Sequence, residues 1–198
     1  MTTKLVKSGI LTEEVRRMEL WDLYDVDRKI TDRKMVRGES TPEGYYRLVV
    51  GICIFNSKGE MLIQKRQPFK QGWSGMWDIT VGGAAIAGDD NRTAAEREVR
   101  EELGLEISLA GIAPKVSFTF DSVFADFYLI NMDVDLDSLS LQYEEVEKVA
   151  YASREDIHAM IDRREFIAYD KSIIDMMFFF SSHDDTRTVA DFTTPEER

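Results

Sequence analysis

The sequence predicts an α/β fold: a sandwich with a mixed β-sheet and two or three helices interspersed among its strands. Three observations carry this. Runs rich in β-branched and aromatic residues recur along the chain, as at 45–55 and 124–132. At least two segments place apolar residues at helical spacing between helix start and stop signals. Hairpin turns are too frequent for a strictly alternating doubly wound sheet. With 198 residues, 43% of them hydrophobic, the chain suffices for one substantial core. One main domain over 45–182 is expected, preceded by an extension (1–44) and followed by a polar tail (183–198).

Thr12 followed by Glu13, Glu14 and Val15 has the form of a helix start, which predicts a short helix over 12–19. The runs LWDLYD, RKIT and KMVRG, parted by turns at 25–27 and 32–33, predict short strands of a meander or a loosely packed segment. Residues 45–55 form a strand, Asn56-Ser57-Lys58-Gly59 a turn, and 60–67 the returning strand, with Met61, Ile63 and Lys65 alternating against Leu62 and Gln64. A loop rich in Gly and aromatics covers 68–76, and a short strand over 77–81 runs straight into Gly82 and Gly83. Ala94, Ala95, Val99 and Leu103 predict a helix over 93–103, which Gly104 ends. Further strands are expected at 105–109, 116–120, 124–132 and 146–152, with an acidic loop over 133–147. Ser153 and Asp156 have capping-box spacing and open a helix to about residue 164. Residues 168–180 predict a last helix that packs Ile173, Ile174, Met177 and Phe178 inward.

The formal charge of −12 opposes binding of long nucleic acids, since no Lys/Arg-rich block offsets it, but it leaves room for a small phosphorylated ligand. Cys53 is the single cysteine, so no internal disulfide forms, and its place in the apolar run LVVGICIF marks a buried structural thiol. No stretch has the length of a signal peptide's apolar core or of a membrane span. A soluble cytoplasmic protein without a membrane partner is expected.

Glu98, Glu101 and Glu102 stand at spacings of three and four within the predicted helix, so their carboxylates crowd one face and repel one another. Such a cluster beside Gly82 and Gly83 implies a cation, and oxygen-only ligands favour Mg²⁺ or Mn²⁺. Taken alone, the three glutamates read first as an ordinary solvated helix face; the flanking residues decide otherwise. Gly83, five residues, Asp89, seven residues, then Arg97-Glu98-Val99-Arg100-Glu101-Glu102-Leu103-Gly104-Leu105 resembles the Nudix box, G-x5-E-x7-R-E-U-x-E-E-x-G-U with U apolar. The one departure is Asp89, where the family has Glu. The similarity extends to the preceding hairpin, the W-D-I-T-V-G-G approach and the later Q-x-E-E-V, covering about residues 45–165.

The resemblance implies a Nudix α/β/α sandwich, a divalent-metal requirement and hydrolysis of a nucleoside diphosphate linked to another moiety. It assigns Glu98, Glu101 and Glu102, with a backbone carbonyl of Gly82 or Gly83, to the metal, and Arg97 to a bracing contact with Asp89. Glu101 is the first choice for the base that contacts the attacking water, with Glu145 or Glu144 of the Q-x-E-E-V loop as runner-up. Lys65, Arg66 and Arg47 lie at strand ends near the expected cleft, where cations meet a diphosphate; solvated charge is an equal reading of each. Phe69, Trp73, Trp77 and Tyr128 are candidates to stack on a base, against the commoner fate of aromatics, burial in the core. His158 and His183 receive no chemistry. Homodimerisation, common among relatives, is carried as an expectation.

Two other functions compete. The segments LWDLYD, EGYYRLVV and NSKGEMLIQKR also resemble the isopentenyl-diphosphate isomerase branch, which shuttles a proton instead of hydrolysing. Matching that branch's W-T-N-S-V-C-G-H to residues 77–84 places Gly82 where its catalytic Cys stands and Ala84 where a metal-binding His stands. Tyr46 takes the other His position. A catalytically silent Nudix domain that binds a nucleotide and regulates a partner is the other competitor, and the retention of all three box glutamates favours the enzyme over it. The box marks the reaction centre and leaves the substrate open.

Overall fold

The computed structural model describes residues 19–183, so the helix expected over 12–19 and the polar tail fall essentially outside the described residues. Among the described residues the strands are β1 (Leu20–Tyr24), β2 (Ile30–Val36), β3 (Arg47–Phe55), β4 (Met61–Arg66), β5 (Trp77–Asp78), β6 (Val81–Ala84), β7 (Val116–Phe120), β8 (Val123–Asn131) and β9 (Val146–Ala152). The helices are α1 (Asn91–Leu103), α2 (Arg154–Asp162) and α3 (Lys171–Ser182), with a 3₁₀ turn at Leu136–Ser138. β1 and β2 form a two-stranded sheet; a seven-stranded sheet has the order β5-β4-β3-β8-β7, with β6 pairing β3 and β9 pairing β4. This is an α/β fold with a mixed sheet. By its contacts the chain divides into two units, 1–51 with 82–98 and 107–127, and 52–81 with 99–106 and 128–198.

In the first unit, β1 and β2 pair antiparallel with Trp21 opposite Met35. RKIT and KMVRG thus contribute to one strand, with no turn at 32–33: Thr31, Arg33 and the buried Met35 share one face, and Asp32 and Lys34 take the exposed one. The hairpin is firmly packed: Trp21, Leu23 and Met35 are buried against Tyr45, Ala84 and Ile86. Its turn carries Arg28 with φ of 61°, and the Arg28 guanidinium reaches both oxygens of Asp126 at 2.8 and 2.7 Å. Asp126, 1% exposed, also accepts from Asn91 Nδ2 and Ser117 Oγ at 2.8 and 2.6 Å. A buried carboxylate so surrounded is compensated for its desolvation. The β1 carbonyl of Leu20 and the Asp22 side chain accept from Ala87 N and Gly88 N, so the hairpin anchors the loop that leads to α1.

Two sequence expectations in this region are corrected. Residues 105–109 are not a strand: Leu109 is fully buried and its N–H is held by the Glu96 carboxylate at 2.6 Å, a side-chain partner replacing a ladder partner. Helix α1 begins at Asn91, two residues early, because Asp90 acts as the cap and accepts from Thr93 N at 2.8 Å.

In the second unit, Asn56 and Gly59 close the turn between β3 and β4, with Phe55 opposite Met61. β4 pairs along most of its length with β9, from Met61 opposite Ala152 to Arg66 opposite Val146. The strand expected over 77–81 is broken into β5 and β6: Thr80, fully buried, turns its hydroxyl to the Leu62 carbonyl and accepts from Ile54 N at 2.9 Å. Gly82 and Gly83 therefore lie within β6 and not in a loop. The β5 edge is covered by residues 165–167, which exchange backbone hydrogen bonds with Trp77 at 2.8 Å each. Helix α2 has the expected capping box between Ser153 and Asp156. Helix α3 starts at Lys171, capped by Asp170, and buries Ile174 and Met177; Ile173 and Phe178 are only half-buried, Phe178 lying edge-on to Phe55. Cys53 is completely buried with its sulfur 3.6 Å from that of Met177, and burial pushes its thiol far up. It is the structural thiol expected.

Candidate active site

Helix α1 carries the acidic cluster, and its N-terminal half belongs to the first unit. There Arg97 acts as a three-way fork, with Nε to Asp89 Oδ2 at 3.0 Å, Nη1 to Glu98 Oε1 at 2.9 Å and Nη2 to the Ala84 carbonyl at 3.1 Å. Burial works against the guanidinium's charge, but Glu98 and Asp89 outweigh it and raise its proton affinity, so it stays a cation. Asp89 is the bracing partner the box pattern implied, its shorter side chain still reaching. Gly83 stands hard against Glu98: a Cβ there would overlap the Glu98 carboxyl. Gly82 has no such need, its nearest neighbour being the Val50 carbonyl at 3.9 Å from an added Cβ. Of the two glycines, only Gly83 is required for close approach.

The C-terminal half of α1 belongs to the second unit. Glu102 is 5% exposed and accepts from Gln64 Nε2 at 2.8 Å, while Glu101 is exposed. The loop after the 3₁₀ turn is tied to this end of the helix, Ser140 N donating to the Leu103 carbonyl and Gln142 N to that of Glu102. Gly104 ends the helix with φ of 65°, its face pressed on Ser140. Glu145, farther along that loop, is ion-paired with Lys70, and its carbonyl accepts from Gln67 N at 3.0 Å. Lys65 is paired with Glu147 at 3.1 Å, and Arg66 Nε donates to the Gly72 carbonyl at 3.2 Å.

The aromatic candidates separate cleanly. Tyr128 is core, and Trp77 lies under the Lys148 ammonium at 5.5 Å. Phe69 and Trp73 are more than half exposed, and Phe69 meets Tyr143, itself 70% exposed, with ring centroids 5.7 Å apart. Tyr143 follows Gln142 directly and so stands beside the Glu102 end of the helix. In the first unit Arg47 is half-buried over the Trp21 ring at 5.2 Å, and burial lowers its hold on its proton; it forms no ion pair among the described residues. His158 pairs with Asp175 at 3.1 Å and His183 stacks on Phe179, neither near the box in the chain.

Among the described residues no three His, Cys, Asp or Glu side chains form a ready-made metal cage. Glu98 is turned to Arg97, and Glu102 to Gln64. The donor chemistry nonetheless fits a hard divalent cation: every candidate ligand is an oxygen, and Gly83 leaves the Glu98 carboxyl lying on bare backbone. Sequence reasoning missed Gln64 and Tyr143. The signal for the first was an amide on the face of β4 that Leu62 buries; for the second there was none beyond an aromatic in an acidic loop.

The NUDIX domain family model matches residues 45–171. An uncharacterized Nudix hydrolase of Listeria innocua is 45% identical over 152 residues, 77% of this chain and 90% of the relative. An isopentenyl-diphosphate Delta-isomerase of Escherichia coli is 35% identical over 68 residues, 34% of this chain and 37% of that protein. The crystal structure of DR0079 from Deinococcus radiodurans has a TM-score of 0.66 at 24% identity, covering 80% of this chain and 99% of that one, a likeness of fold.

Proposed function

The chain belongs to the NUDIX domain family and is a Nudix hydrolase, and from that premise we propose that it is divalent-metal-dependent and cleaves the diphosphate linkage of a small metabolite, a nucleoside diphosphate derivative, in the cytoplasm. The observation that carries the reading is the construction of α1: Arg97 clamps Asp89 and Glu98 to the Ala84 carbonyl while Gly83 leaves room for the Glu98 carboxyl. Glu98, Glu101 and Glu102, with a backbone carbonyl of Gly82 or Gly83, would hold Mg²⁺ or Mn²⁺. When bound, such an ion polarises a phosphoryl oxygen and lowers the pKa of water.

Glu101 takes the proton of the attacking water. The water oxygen bonds to one phosphorus, the bridging P–O bond breaks, and the bridging oxygen leaves with the other phosphate. Two phosphate-terminated fragments result. Glu145, whose carboxylate is engaged by Lys70, is the second choice for the base. Arg47, half-buried and stacked on Trp21 without a carboxylate, is the cation best supported as a diphosphate contact; Lys65 and Arg66 already have partners in the fold. The exposed Tyr143, next to Gln142 whose N–H holds the Glu102 carbonyl, with Phe69 against it and the exposed Trp73, supports an aromatic base as one end of the substrate.

The test is a panel of phosphorylated metabolites incubated with the protein and Mg²⁺ or Mn²⁺, reading phosphate or nucleotide release. At least one diphosphate should turn over only with metal, and Glu102→Gln should lower kcat/KM by a factor of about 100 or more. Full turnover by that variant overturns the mechanism. The local likeness to an isomerase gives a second reading, conversion of isopentenyl to dimethylallyl diphosphate, assayed in the same panel. Gly82, Ala84 and Tyr46 at that branch's Cys and His positions argue that none will be seen.

A further inference from the structure

We propose that Gln64 is a positioning residue of the active site: its amide nitrogen holds the Glu102 carboxylate, and its amide oxygen receives a hydrogen bond from a water that accompanies the divalent cation. The inference rests on the metal-dependent reading of the preceding subsection. Gln64 lies within β4, a strand whose other interior residues are apolar, and it is 2% exposed. Its Nε2 donates to Glu102 Oε2 at 2.8 Å. An ionised carboxylate accepts but does not donate, so the nitrogen must face Glu102 and the oxygen must face away. That oxygen, Gln64 Oε1, is buried and has no hydrogen-bond partner.

Such an atom is costly. An unpaired buried carbonyl has given up its hydration for nothing, a loss which a leucine or methionine at the same place avoids. The cost has a reason if the loaded site supplies the missing donor, and water is the smallest donor that suits a lone acceptor. An amide also suits the position chemically, since it orients Glu102 without neutralising it, whereas Lys or Arg here would compete with a cation for the carboxylate. The support is rigid, since β4 is paired with β3, β5 and β9, and the Glu102 backbone is separately tied to Gln142 at 2.9 Å.

The experiment is Mn²⁺ titration of the full-length protein by calorimetry, for wild type and Gln64→Met, alongside thermal melting of both without metal. Gln64→Met keeps the length and fills the space with no orphaned oxygen. Its Mn²⁺ affinity should fall about 10- to 100-fold, the typical cost of losing a group behind a metal ligand, while the metal-free protein still melts cooperatively although Glu102 has lost its amide donor. A purely structural role would lower the melting temperature and leave Mn²⁺ affinity alone. Gln64→Asn, which retains the amide one methylene short of Glu102, carries the same expectation should the methionine variant fail to fold. Equal Mn²⁺ affinity in wild type and variant overturns the role of Gln64 and leaves the hydrolase reading standing. A wild type that binds no Mn²⁺ overturns both.

Discussion

Arg97 and Gly83 show how single residues set the reach of the acidic helix. One Arg97 guanidinium meets two carboxylates and a carbonyl, so the Glu98 rotamer is held from one side by charge and from the other by the backbone of β6. A methyl group on Gly83 has no room unless Glu98 moves, and a side chain can move at small cost to folding. Gly83→Ala should therefore fold normally, with a melting temperature within about 3 °C of wild type, yet lose activity by roughly 10- to 100-fold through the displaced carboxylate. Gly82→Ala, which meets nothing closer than 3.9 Å, should retain near-normal turnover. Parallel kinetics and melting of the two variants check this. Equal activity losses would show that the two glycines serve alike. The distinction between them was not legible in the sequence, where both stood in one Gly-Gly pair; it depends on which of them faces Glu98.

At the level of elements, the N-terminal hairpin was the least legible part of the chain and the β3–β4 hairpin the most. Asn56 to Gly59 is local turn chemistry, and the β9 and α2 boundaries followed from β-branched pattern and a capping box, signals contained in a few adjacent residues. The packing of β1 and β2 depends instead on partners far along the chain, above all Arg28 on Asp126, ninety-eight residues apart. The box helix was visible for the first reason, while the break between β5 and β6 was hidden because it comes from Thr80 bonding to β4 and β3. The same logic predicts what the Arg28 clamp contributes. Arg28→Ala leaves Asp126 buried with only Asn91 and Ser117 as donors, and because Arg28 is itself 38% exposed the loss should be moderate, about 2 kcal/mol, or roughly 4–8 °C in melting temperature. Adding Asp126→Asn should recover part of it by removing the stranded charge. Calorimetric melting of the single and double variants measures both, and additive losses would show that the two side chains do not act together.

At the scale of the whole molecule, shifted carboxylates pull stability against pH in opposite directions. Asp90 and Asp170 cap α1 and α3, Asp156 completes the capping box of Ser153 on α2, and backbone and hydroxyl donors hold each below the usual carboxylate range. Their stabilising effect is present above about pH 4 and is lost as pH falls further. Asp78 runs the other way. Burial pushes it up to about 6, against the opposing pull of the Ile79 N–H, the Arg66 charge and the Tyr169 hydroxyl. Its protonated form is favoured by folding, so its contribution is full below its unfolded value near 4 and is withdrawn as pH rises through 6. Both hydrogen bonds it accepts, from Ile79 N at 2.8 Å and Tyr169 Oη at 3.2 Å, go to the same oxygen, which an asparagine also possesses. Asp78→Asn should thus match wild type at pH 4 and exceed it at pH 7.5 by up to about 3 kcal/mol, on the order of 10 °C in melting temperature. Melting curves of both proteins from pH 4 to 8 decide it. A constant difference across that range would mean that Asp78 does not titrate there and that the ion is carried buried at every pH where the protein folds.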